Sequence, residues 1–234
     1  VLKIAQEKGY AERNPEADVE GYDACRKIAI LTSLVAGEQV DYEDIHTEGI
    51  TKITAVDFEY AKAMKASIKL LGMSKKVDGT FYSMVAPFMI GQQHPLIGVN
   101  GVFNGIFVHG NVLDDVMFYG RGAGKLPTAS AVVSDIVDAV KHMHTNIMTI
   151  WEERKSNLGK FEDCENKFFV RMKDKGLDDD QMLGIKNAFG DVLYVKAPGV
   201  NDELAFVTNK MREGDFAEHI AKFDDVYSVI RVDF

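Results

Sequence analysis

Between Tyr22 and Ala36 apolar residues recur at Ala24, Ile28, Leu31 and Val35, and Gly37 closes the run, so the spacing predicts an amphipathic helix. Upstream, Val1 to Lys8 reads as the end of an earlier helix, with Gly9 as its left-handed stop. The stretch EGITKI, Glu48 to Ile53, is strand-like; Thr54 and Asp57 then have the spacing of a capping box and open a helix through AVDFEYAKAM. SIKLLGMSK and FYSMVAPFMI flank Asp78-Gly79, a pair suited to a two-residue hairpin turn. Two more strands are expected around Asn100 to His109 and Asp115 to Tyr119. A long helix follows from Thr128 to about Glu153, with Pro127 near its first turn.

The polar run ERKSNLGKFEDCEN breaks this pattern and reads as a linker. Beyond it, KFFVRMK, DDQMLGIKNAFG, VLYVKAPG, ELAFVTNK, EGDFAEHIAKFD and VYSVIRVDF follow the order strand, helix, strand, strand, helix, strand, which is ferredoxin-like. The expected fold class is therefore α/β (α+β). Residues 1–153 would form a mixed sheet with covering helices, residues 154–165 a linker, and residues 166–234 a small regulatory-type module.

Composition narrows the function. With 46% hydrophobic and 27% charged residues among 234, the chain has material for a sizeable core. A net charge of −9 argues against nucleic acid, whose phosphates need a basic face. No apolar run is long enough to span a membrane. Two cysteines, Cys25 and Cys164, make no disulfide framework, and without a signal-peptide pattern the expected compartment is a reducing cytoplasm.

Two stretches carry candidate chemistry. YGRGAGKLPTASAVV follows a strand and opens a helix, the setting of a phosphate-binding loop. It is not a P-loop, because Leu126 follows Gly124-Lys125 where Ser or Thr is required, and its glycines do not fit G-x-G-x-x-G. A tight turn needing positive φ is the simpler reading. The six histidines show no metal-ligand spacing. The second stretch, Gly9 to Lys27, gathers Glu12, Glu16, Asp18, Glu20 and Asp23 with Arg13, Arg26 and Lys27. A solvated charged loop with an ordinary i,i+4 pair explains this composition. So does a grip on a small zwitterion, in which carboxylates take the ammonium group and Lys27, at the edge of an apolar face, takes an oxygen.

The order and spacing of GYAE-x-x-P-x-x-DVEGYDACRK, IHTEGI, IKLLG, HPLIGVNGVFN and FYGRGAGKLPTASAVVSD resemble homoserine dehydrogenase over most of residues 1–150. The tail resembles the ACT domain that follows the catalytic region in many bacterial members. The family's N-terminal dinucleotide-binding domain has no counterpart among these motifs, so the chain reads as the back part of the enzyme and is expected to be inactive alone. The resemblance implies interconversion of L-homoserine and L-aspartate 4-semialdehyde with NAD or NADP. It makes Lys27 the proton donor, Glu12 and Asp23 substrate-binding, and Asp18 a support of that polar pocket. Gly9, Gly122 and Gly124 would lie against the cofactor. A homodimer and a threonine effector are further implications. Where the family motif has Glu-Ala-Asp-Pro, this chain has Glu12-Arg13-Asn14-Pro15, in which Asn14 keeps a polar turn residue but lacks the aspartate's charge. A lysine ammonium, with a reference pKa of about 10.4, is acidic enough to protonate the alkoxide left by hydride delivery to an aldehyde. The alternative reading is a non-catalytic, amino-acid-binding ACT protein.

Overall fold

A strand covered on both faces needs apolar side chains at every position, and Phe168 to Met172 meets this need except at Arg171. That strand lies at the centre of the larger of two units. The computed structural model describes residues 6–7, 13–147, 151–176 and 179–234. In chain order its first elements are α1 (Glu16–Val19), α2 (Tyr22–Ala36), β1 (Glu38–Gln39), β2 (His46–Thr47) and α3 (Ala55–Ala63). Next come β3 (Ala66–Val77), β4 (Thr80–Gly91), β5 (Phe103–Gly110), β6 (Asp114–Arg121), α4 (Lys125–Lys141) and β7 (Glu152–Lys155). The last are β8 (Glu165–Lys173), α5 (Asp179–Phe189), β9 (Leu193–Val195), β10 (Glu203–Val207), β11 (Met211–Arg212), α6 (Glu213–Ile220) and β12 (Val226–Asp233).

The larger unit joins Glu16–Gln92 to Trp151–Phe234, and the smaller joins Gln93–Ile150 to Val1–Pro15. In the larger one, β2, β4, β12, β8, β10 and β9 lie side by side, with β3 added along β4 and β11 along β8. The β3–β4 hairpin turns at Asp78 (φ 48°) and Gly79 (φ 85°), so both central residues take the positive φ of a type I′ turn. On its other side β4 runs parallel first to β2, at Met84 and Val85, then to β12, at Phe88 to Ile90. Pro87, which has no N–H, falls at this handover. From β12 to β9 the neighbours are all antiparallel, in the order β12-β8-β10-β9. This is the split βαβ arrangement expected from the element order. The grouping of the chain follows the shared sheet, not the polar stretch 154–165.

Side-chain alternation divides the core between the two faces of β8. Phe169 packs with Met89, Ile230 and Val232 against Tyr60 and Ala61 of α3. Phe168, Val170 and Met172 face the other way, towards Ile185 and Phe189 of α5 and Phe216 of α6. Arg171 points to the α3 side. Its Nε donates to Asp57 Oδ1 at 3.1 Å, Nη1 to Glu203 Oε1 at 2.8 Å and Nη2 to Thr54 Oγ1 at 3.1 Å. Asp57 is also the N3 residue of the capping box, accepting from the Thr54 N–H at 2.7 Å. One fully buried carboxylate thus caps α3 and neutralises a buried guanidinium.

Four expectations change. EGITKI is not a strand: the ladder with β4 ends at Thr47, and residues 48–53 are irregular, with a turn at Thr51 and Lys52. The buried side of α2 is rotated to Cys25, Ala29, Thr32 and Ser33, leaving Val35 73% exposed. Thr32 and Ser33 are tolerated inside because their hydroxyls donate to the Ile28 and Ala29 carbonyls, at 2.7 and 2.9 Å. Helix α4 stops at Lys141 instead of about Glu153: His142 N–H makes an i→i−4 bond to the Asp138 carbonyl at 3.1 Å, the His142 ring shares that carbonyl at 2.9 Å, and His144 then takes φ 73°, which leaves the helical conformation. Finally, residues 154–165, read as a linker, are strapped to the larger unit. Strand β7 runs parallel to β1, Ser156 N–H donates to Gln39 O at 2.7 Å, and Gly159 N–H to Phe81 O at 2.8 Å.

Removing one partner of a buried ion pair strands the other charge. Asp57→Ala should therefore lower stability by about 3–5 kcal/mol, read as a shift of the urea unfolding midpoint; a loss below about 1 kcal/mol would show that Glu203 alone satisfies Arg171.

Candidate active site

Helices α1 and α2 meet at a corner that the sequence makes compulsory. Glu20 N–H closes the α1 turn on Glu16 O at 2.9 Å, and Gly21 then takes φ 80° as the N-cap of α2. A residue with a side chain would be strained at that angle, and its Cβ would lie 3.2 Å from Val85 Cγ1. Cys25, Ala29 and the half-buried Ala24 and Ile28 seat α2 on Val40, Ile45, Val85 and Leu70. Gly72 of β3 makes room, since a Cβ there would come within 3.2 Å of Ile28.

This seating leaves one flank of α2 in solvent. On it Lys27 Nζ and Asp23 Oδ2 form the expected i,i+4 pair at 2.6 Å, with side chains 61% and 49% exposed. Asp18 is exposed on α1, immediately before the corner. The structure thus brings Asp23 and Lys27 together and carries Asp18 on the adjoining helix. Glu12 and Gly9 lie outside the described residues. Gly122 and Gly124 belong to the smaller unit, in the turn from β6 to α4. Gly120, near the end of β6, and Gly122, just past it, are exposed, Gly124 has φ 120°, and a Cβ on Gly122 would run into the Asn104 side-chain amide. Among the described residues no group of His, Cys, Asp and Glu is placed to hold a metal ion.

Beneath the α1–α2 corner lies a polar network that the sequence reading missed. Arg231 of β12, 6% exposed, donates to both oxygens of Glu48, at 2.9 and 2.8 Å, and to both oxygens of Glu213, at 2.6 and 2.9 Å. Asn166 Nδ2 donates to Glu213 Oε1 at 2.7 Å, and the His46 ring, stacked on Phe161 at 3.5 Å, meets Glu48 Oε1 at 2.6 Å. Partial burial opposes ionisation of Glu48, but hydrogen bonds from His46 and Arg231 overcome it and hold the carboxyl at about 2. Desolvation likewise opposes the charge on Arg231, and its two carboxylate partners hold it protonated, with a raised pKa. Burial pushes the neighbouring Cys164 thiol up to about 11, with the Glu213 charge adding to the effect, so it is no reactive thiolate. The available signal for this network was an arginine inside the otherwise apolar run VYSVIRV.

The family model for homoserine dehydrogenase matches residues 1–137. The chain belongs to the homoserine dehydrogenase family. Homoserine dehydrogenase of Synechocystis sp. is 38% identical over 256 residues, covering 99% of this chain and 59% of that protein. That of Bacillus subtilis is 34% identical over 244 residues, covering 99% and 56%. Among solved structures, the homoserine dehydrogenase of Thiobacillus denitrificans superposes with a TM-score of 0.82 at 28% identity, over 99% of this chain and 57% of that one. The S. aureus enzyme at pH 7.5 gives 0.78 at 28% identity, over 99% and 58%. The chain therefore spans somewhat over half the length of these homoserine dehydrogenases.

Because folding lowers the Glu48 carboxyl from 4.5 to about 2, its contribution to stability is complete above about pH 4.5 and is lost as pH falls towards 2. Urea unfolding of the protein and of Glu48→Gln across this window should give midpoints that differ most above pH 4.5 and converge on acidification; a constant difference would place the Glu48 charge outside the linkage.

Proposed function

We propose that this chain supplies the substrate-binding and proton-transfer part of a homoserine dehydrogenase, interconverting L-homoserine and L-aspartate 4-semialdehyde in the cytoplasm on the way to threonine and methionine. The observation that carries the reading is the Asp23–Lys27 pair, held 2.6 Å apart on the solvent flank of α2. It lies within the span of the matching family model.

In this reading Glu12 and Asp23 take the ammonium group of the amino acid, and Asp18 keeps the pocket polar and anionic. Lys27, oriented by Asp23, donates a proton to the carbonyl oxygen during reduction and receives it back during oxidation. NAD or NADP supplies or accepts the hydride when bound. The exposed Gly120 and Gly122 at the end of β6 and the positive φ at Gly124 fit one edge of such a cofactor, and Gly9 is assigned to the same edge. Residues 166–234 act as an ACT-like regulatory module, and the protein works as a homodimer. The ligand turn of that module would be Lys173 to Gln181, part of which lies outside the described residues. It has no proline and carries Asp178, Asp179 and Asp180, so an effector carboxylate meets like charge there.

In the protein that carries this chain, Lys27→Ala should lower kcat by about 10²–10⁴, the usual worth of a positioned general acid. Near-normal rates across pH would make Lys27 a surface residue and end this reading. Asp23→Asn should raise the KM for homoserine more than that for the nucleotide. Threonine titrated calorimetrically into the chain should bind weakly or not at all, whereas a dissociation constant near 1 μM, about 8 kcal/mol of binding, would show a functional effector site.

A further inference from the structure

The turn that carries the substrate carboxylates has few bonds of its own. Helix α1 is four residues long, and the segment after β2 leaves the sheet at Thr47. Each depends on the other. Ile50 N–H donates to Val19 O at 2.7 Å. Gly49 passes so close beneath that a Cβ would stand 2.5 Å from Glu20 Cα and 2.9 Å from Glu20 Oε2. A Cβ on Gly21 would lie 3.4 Å from both Glu48 O and Thr47 Cγ2. The floor of the α1–α2 corner is thus residues 47–50, and among the described residues its bond to a strand past Thr47 is the Glu48 N–H bond to Val85 O at 2.8 Å.

What holds that floor is the Glu48 side chain. Its two oxygens are gripped by the two terminal nitrogens of Arg231, and Arg231 has no freedom to follow a shifting loop. Its Nε and Nη2 are fixed on Glu213, its side chain is 7% exposed, and β12 is ladder-bonded to both β4 and β8. A bidentate fork fixes direction as well as distance.

We propose that Glu48 and Arg231 are positioning residues for substrate: the C-terminal strand, through the Arg231–Glu48 fork and the Gly49–Ile50 floor, sets the α1–α2 corner and hence where Asp18, Asp23 and Lys27 stand. The corner is in this way set by a strand distant in sequence, Arg231 lying 183 residues after Glu48. The inference rests on the function proposed above for its substrate, and on contacts within the larger unit for its geometry.

Nuclear magnetic resonance of the 234-residue protein, with Glu48→Gln and Arg231→Lys, tests both parts separately. In each variant the amides of Ile50 and of Gly21 to Cys25 should shift and exchange faster, while those of α5 stay in place. The dissociation constant for L-homoserine should rise by about 3- to 30-fold, and in an Asp23→Asn background Glu48→Gln should add much less than this, because it acts through the same corner. Absence of homoserine binding by the unmodified protein would count against the proposed function alone, since the amide shifts still decide the positioning. Folded variants with an unmoved α1–α2 corner, effects additive with Asp23→Asn, or unfolding of both variants would overturn the proposal in favour of a purely structural ion pair.

Discussion

Two guanidinium groups stand on neighbouring strands inside an apolar sheet, and burial leaves each of them dependent on fixed carboxylates. Arg171 reaches Asp57 and Glu203 on one face; Arg231 reaches Glu48 and Glu213 on the other. Each therefore ties the C-terminal strands to a segment more than a hundred residues earlier. Apolar contacts would fill the same space without specifying register or partner. The charged pairs do specify them, because a slipped strand would leave an unpaired charge in the core.

The division of labour between the two arginines follows from what their partners do. Asp57 already caps α3, so its bond to Arg171 joins helix, cap and sheet into one rigid piece. Glu48 lies at the end of a two-residue strand and is half-exposed, so its bond to Arg231 secures a turn. Rigid core and secured turn meet at Val85 of β4, which packs under α2 and opposes Thr47.

Legibility in the sequence tracked the range of the interactions. The Thr54–Asp57 cap, the Asp78-Gly79 turn and the Asp23–Lys27 pair are set by residues within one turn of each other, and all three were readable. The tail's strand order was readable from its alternation of elements. The burial of α2 was misjudged because Thr32 and Ser33 look polar until their own helix satisfies them. The end of α4 turned on His144 taking a positive φ just past Lys141, which no periodicity reports. The candidate site was visible as a list of charges, whereas its floor was not, because Glu48 finds meaning only beside an arginine near the other end of the chain.

The parallel junction of β4 with β12 has a consequence for how this protein is made. Strands β3 and β4 leave the ribosome with one long edge open, and the strand that fills it, β12, is synthesised only after β5 to β11. Until then Phe88, Met89 and Ile90 present an apolar, unpaired edge of the kind that recruits other chains. Closing the sheet demands a contact of very high sequence separation, so it is slow compared with local helices and hairpins. Translation speed and chaperone occupancy between the synthesis of β4 and that of β12 therefore bear on yield as directly as any residue of the site.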